Sequence, residues 1–287
     1  MSHETVLVWM LSMNREYGTE VGIPNRVQLG EAVFPIGKGK MRAQQSGFIS
    51  TGMLMTQLLP VLMMRHRRVP RAKWVDQVTP NGKHWIDLVE DPNRPGRPKP
   101  PSIGYQLTFH NSLCGMAVTQ GPASAVVNIG LGIKQLKVEP KGTSVQVYFE
   151  SLSHKLTAHE ISTIVGNPDE VVLKRLCMLL ALKEAYIKAI GQPMGFDFSR
   201  LEFDIPNRRV SGDGNPLLGW EFRIFVAKLG VARGTQLKQE EYECVCAFYR
   251  GTPETTFLFH ETPQLLENWV QFINIDQLMA VSNKLAA

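Results

Sequence analysis

The run Leu182-Lys183-Glu184-Ala185-Tyr186-Ile187-Lys188-Ala189 sets one carboxylate and two ammonium groups inside a stretch otherwise built for burial. From Val171 to Ile190 the apolar residues Leu173, Leu176, Cys177, Leu180, Tyr186 and Ile187 recur at helical spacing, which predicts a helix with one face in a core. Pro168-Asp169-Glu170 reads as its start and Gly191 as its stop. Glu184 and Lys188 are four apart and lie on one side of that helix. On a solvated face such a pair contributes only about 0.2–0.5 kcal/mol. On a buried helix a charge is costly unless it is paired or coordinates a metal. From spacing alone, a surface ion pair and a site residue both stay open.

Upstream of this helix the chain reads as a strand over Val6 to Leu11, a Gly- and Lys-rich loop over Pro35 to Lys40, and a helix from Gln44 to Arg65. A hairpin follows, Lys73 to Val78 and His84 to Val89, joined by Pro80-Asn81-Gly82. The proline-rich stretch from Asp91 to Pro101 excludes regular structure. Strands over Tyr105 to Asn111 and Gly115 to Gln120 close the first half, and Gly121-Pro122-Ala123-Ser124 is the candidate linker. The second half predicts strands over Ala125 to Ile133 and Val145 to Phe149, a helix capped by Thr157 with Glu160, and strands near 198–203, 220–226, 243–249 and 256–260. An amphipathic helix is expected from Pro263 to Leu285. The division is therefore an N-terminal lobe (1–123), a C-terminal lobe (124–262) and an additional helix (263–287) packed on the core. The fold class is α+β: two similar lobes, each a small, mostly antiparallel sheet on a long helix, with the site in the cleft between them.

Composition narrows the function classes. Across 287 residues, 44% hydrophobic and 20% charged content describe an ordinary globular protein with a modest net charge of +5. The most apolar stretch, Thr51 to Met64, contains Gln57 and Pro60 and is shorter than the roughly 18 residues of a membrane span. No basic segment followed by an apolar core opens the chain, so no signal peptide is expected. Four Cys do not make a disulfide framework, which points to a cytoplasmic protein. The basic cluster at Arg65, His66, Arg67, Arg68, Arg71 and Lys73 suits either an anionic partner or a solvated helix end. No nucleic-acid-binding motif accompanies it, so neither nucleic acid nor membrane is an expected partner. Gly130-Leu131-Gly132 lacks the third Gly and the following helix of a nucleotide-binding loop, and His154, His159 and Glu160 lack zinc-binding spacing.

Leu182 to Gly191 resembles the signature Trp-x-x-Lys-Glu-x-x-x-Lys of the large, two-lobed phosphopantetheinyl transferases, with Leu180 in place of the Trp. The resemblance extends to Lys99-Pro100, to Leu107-Thr108-Phe109-His110 with Phe109 where the family has Ser, and to the strand around Gly130. It implies that Glu184 binds Mg²⁺ and that Lys188 reaches the phosphates of coenzyme A. It also implies that His110 and Lys99 contact coenzyme A, with Lys38, Lys40 and Arg42 as further phosphate-binding cations. One part departs. The family strand reads Gly-Val-Asp-Ile-Glu and supplies two more metal carboxylates. In this chain Gly132 falls at the Asp and Lys134 at the second acid.

Three functions compete on these residues. Loss of the metal acids favours a transferase fold repurposed for metal-independent acid–base catalysis, such as a cyclisation, dehydration or isomerisation of a polyketide-like intermediate. Glu184, His110, Lys188 and Lys183 would be its catalytic groups, and no cofactor is required. The alternative is an active transferase that uses coenzyme A and Mg²⁺ to modify a carrier-protein Ser, with Lys134 neutralising the pyrophosphate. The third is a non-catalytic binder of coenzyme A or a carrier protein. A monomer is expected in each case.

Overall fold

The computed structural model describes residues 5–14, 51–89, 100–192, 195–276 and 278. The first half supplies β1 (Leu7–Ser12), α1 (Thr51–His66), β2 (Trp74–Val78), β3 (His84–Leu88), β4 (Ser102–His110) and β5 (Leu113–Gly121). A short helix, α2 (Ala123–Val126), leads into β6 (Ile129–Gln135). Then come α3 (Val145–Leu152), α4 (Ala158–Ile164) and the long α5 (Asp169–Ile190). The remaining strands are β7 (Leu201–Asp204), β8 (Arg209–Gly212), β9 (Asn215–Pro216), β10 (Trp220–Arg233), β11 (Gln236–Tyr249), β12 (Thr256–His260) and β13 (Val270–Asn274).

Two sheets dominate. The first has the order β13-β1-β5-β4-β3-β2 and the second β12-β10-β11-β6, while β7-β8-β9 form a small third sheet. Pairing is antiparallel except for β1 with β13 and β10 with β12. Alternation sorts the strand residues by face. Trp9 and Leu11 turn toward α1, where Met55, Leu58, Leu59 and Met63 complete one core. Val8 and Met10 turn the other way and meet Leu131, Ile133, Phe225 and Cys244 of the second sheet. On that sheet's far face Phe222, Ile224, Val245 and Ala247 pack with Leu176, Leu180 and Ala185 of α5. The result is the expected α+β arrangement of two sheet-and-helix units, stacked sheet to sheet.

The central helix begins after Pro168 and ends at Gly191, whose φ of 70° is the left-handed geometry that glycine adopts freely. The Thr157–Glu160 capping box also forms. Two expected elements are corrected. Val145 to Phe149 is helix rather than strand: Ser144 caps it by accepting from the Val147 amide, and Phe149 is buried against the α5 core. Over 263–274 the expected helix is instead a single turn at Pro263–Leu265 followed by strand β13; residues 275, 276 and 278 are helical, and the rest of the expected helix lies outside the described residues. Tertiary pairing overrides periodicity here, because β13 satisfies the open backbone edge of β1, and Trp269 packs edge-on to Phe225 at 5.3 Å.

Candidate functional site

Glu184 and Lys188 of α5 gather where β4 of the first sheet meets β6 of the second. Gly130 and Gly132 alternate with Leu131 on β6 and so face α5. A Cβ at Gly130 would lie 2.0 Å from the Ala185 carbonyl oxygen, and one at Gly132 would lie 2.1 Å from that of Ala181. Glycine at these two positions lets strand and helix backbones touch. That approach brings Lys134, next on the same strand face, beside Glu184.

Glu184 is enclosed by cations. Lys134 Nζ is 2.7 Å from one carboxylate oxygen, and Lys188 Nζ pairs with the other. Lys188 also donates to the Thr108 hydroxyl on β4 and reaches the Leu131 carbonyl at 3.4 Å. Thr108 stands 3.4 Å from Glu184, so the group spans both sheets. Burial pushes the Glu184 carboxyl up, and the two ammonium groups outweigh it, holding the pKa below the ordinary value. Glu184 is thus an ionised counter-ion and a poor proton donor.

His110, two residues beyond Thr108, accepts a hydrogen bond at Nδ1 from the Gln135 amide at 3.1 Å. Burial and then the charge of Lys134 lower its pKa, which keeps the imidazole neutral with its proton on Nε2. The structure therefore brings together His110, Lys134, Glu184 and Lys188. It does not bring in Lys183. That side chain is 0% exposed, 2.7 Å from Glu160 and donating to the Phe198 and Leu201 carbonyls. Glu160 in turn accepts from the Phe203 amide at 2.9 Å. Lys183 stands in the core, apart from this group, because adjacent residues on a helix point about 100° apart. Lys38, Lys40, Arg42 and Lys99 lie outside the described residues.

Lys83 went unread in the sequence. It is buried and donates to the Gln106 side chain at 3.2 Å and to the carbonyls of Ile129 and Lys188, both at 2.6 Å. It ties the β2–β3 hairpin to β6 and to the carbonyl end of α5. Burial and the nearby Lys188 charge lower its pKa to about 7. The only local signal was Asn81-Gly82, which marks a turn and says nothing of what the turn packs against.

The magnesium implied by the resemblance does not fit these side chains. Mg²⁺ takes several oxygen ligands in octahedral geometry. No group of three or more His, Cys, Asp or Glu side chains able to hold a metal occurs among the described residues. Both oxygens of the retained carboxylate, Glu184, already face ammonium groups. The place of a second carboxylate, at Gly132, is closed by the α5 backbone.

No family model matches the chain. Among curated proteins it is 33% identical over 178 residues to a 4'-phosphopantetheinyl transferase of Paxillus involutus, covering 60% of this chain and 64% of that protein. It is 37% identical over 106 residues to an L-aminoadipate-semialdehyde dehydrogenase-phosphopantetheinyl transferase of Pongo abelii, covering 37% and 32%. A phosphopantetheinyl transferase of Thraustochytrium is 33% identical over 119 residues, covering 38% of each chain. The chain thus matches less than two thirds of the length of each of these relatives. Their shared name supports the resemblance of this chain, carried by β4, β6 and α5, to the phosphopantetheinyl transferase superfamily.

Proposed function

We propose that the protein moves 4'-phosphopantetheine from coenzyme A to a serine of a carrier protein. The observation that supports this most is the pair of cleft cations, Lys134 and Lys188, beside His110 at the junction of the two sheets. In such a transfer the serine oxygen bonds to the phosphorus bearing pantetheine, and the bond from that phosphorus to the bridging oxygen breaks. The adenosine-bearing phosphate leaves with added negative charge, which two fixed ammonium groups stabilise. The serine proton passes to solvent, because His110 carries its proton on Nε2 and commits Nδ1 to the Gln135 amide, and two cations hold Glu184 as an ion pair. Incubation with coenzyme A, Mg²⁺ and an apo carrier protein tests the reading by mass spectrometry. The expected result is a mass gain of one phosphopantetheine. An unmodified carrier, with a known transferase modifying it in parallel, overturns the reading.

The second reading is acid–base catalysis on a polyketide-like intermediate without coenzyme A. It draws on the poor fit for Mg²⁺ and on the neutral imidazole of His110 in the cleft. Under it the carrier stays unmodified and His110→Ala abolishes turnover. Lys183, sealed in the core, takes no part in either reading.

A further inference from the structure

We propose that Lys134 stands in for a metal ion, so that the cleft holds the pyrophosphate of coenzyme A through the Lys134 and Lys188 ammonium groups with no divalent cation. The inference rests on the transferase reading and specifies how its substrate is held.

Three observations converge on it. First, each oxygen of the carboxylate that would ligate a metal lies beside an ammonium group, one 2.7 Å from Lys134 and the other paired with Lys188. A divalent ion at Glu184 would have to displace both cations or sit against them, and like charges at that range repel strongly in a half-buried site. Second, the space a metal-binding side chain at position 132 would need is taken by the Ala181 carbonyl, 2.1 Å from where even a Cβ would stand. Strand and helix have closed on each other, so the substitution at 132 and the ion pair from 134 form one arrangement. Third, the charges offered to the cleft are the positive ones. The Lys134 and Lys188 side chains are 27% and 26% exposed, while Glu184 beneath them is 15% exposed. Glu184 works as a floor beneath two partly exposed lysine side chains, and Thr108 fixes the second of them. A phosphate oxygen arriving from the cleft meets cations already in place, as it would meet a bound metal.

Calorimetry with coenzyme A decides the matter when run on the full chain in magnesium and in EDTA. Wild type is expected to bind with affinities within about threefold in the two buffers. Lys134→Met is expected to weaken binding by about tenfold or more, the size of a lost charge-assisted contact. Lys134→Arg, which keeps the charge, is expected to restore most of it. Melting curves verify that each variant is folded, and if Lys134→Met is not, Lys134→Arg and the two wild-type titrations still decide. Binding that appears only with magnesium overturns the inference and leaves the transferase reading standing. Equal binding by wild type and folded Lys134→Met also overturns it. No binding by wild type in either buffer removes the transferase reading and this inference together.

Discussion

Lys183 and Glu184 are consecutive residues of one helix, yet they end in opposite surroundings. Lys183 turns into the core beneath α5, where Glu160 and two backbone carbonyls close around it. Glu184 turns toward the β4–β6 junction, where Lys134 and Lys188 meet it from the cleft side. Both are ion pairs with an N–O separation of 2.7 Å, from Lys183 to Glu160 and from Lys134 to Glu184. The first is sealed and its partners have nowhere else to go. The second is open on one side, and its cations can exchange the carboxylate for another anion. Distance alone does not separate a strut from a site. Access does.

The sealed pair is the place to look for the largest effect on stability. Lys183→Met leaves Glu160 buried without a cation, and the expected loss is about 3–5 kcal/mol, read by urea denaturation. Adding Glu160→Gln is expected to recover part of it, since a neutral amide is cheaper to bury than an unpaired carboxylate. If Lys183→Met costs no more than a surface substitution, the contrast between the two pairs fails.

A smaller effect comes from the contact that makes the open pair possible. Gly132→Ala forces a methyl against the Ala181 carbonyl, and the expected cost is about 1–3 kcal/mol through separation of strand and helix. The same separation moves Lys134 away from Glu184, so coenzyme A affinity should fall alongside stability. Wild-type stability in the variant would mean that the close approach is incidental.

The smallest effect is a pH dependence. The Glu184 pKa is lowered in the folded protein, so its pairing contributes stability that is present above the ordinary carboxylate value and lost as pH falls through the lowered one. The expected contribution is below about 2 kcal/mol because one side of the pair is wet. Glu184→Gln should lower the neutral-pH melting temperature by that contribution and remove this acid-side loss. An unchanged acid limb in the variant would assign it to other carboxylates.

Local signals in the sequence carried the helices well. Pro168 and Gly191 bound α5, and the Thr157–Glu160 box opens α4, because caps act within a few residues. The divergent strand was also legible, since Gly130 and Gly132 on one strand face signal a close backbone approach. What failed depended on distant partners. The segment at 270–274 carries large apolar residues that fit helical and extended readings alike, and only β1, far away in the chain, decides between them. Val145 to Phe149 alternates like a strand, but Ser144 and the α5 surface make it a helix. The separation of Lys183 from Glu184 was readable, because neighbours on a helix never share a face. Lys83 was not, because its burial exists only once the β2–β3 hairpin meets the end of α5.

The parallel pairing of β1 with β13 has a consequence for synthesis on the ribosome. The first sheet is built almost entirely from residues 7–121, yet one of its strands is residues 270–274. A nascent chain that has already made β1 to β5 therefore carries an open edge on β1 until residues 270–274 have been translated. The second sheet can assemble in that interval and cover the face that Val8 and Met10 present, but it cannot supply the missing strand. The last stage of folding is then an edge-sealing event of long sequence separation, the slow kind. During it, the open edge of β1 is exposed to pairing with the wrong chain.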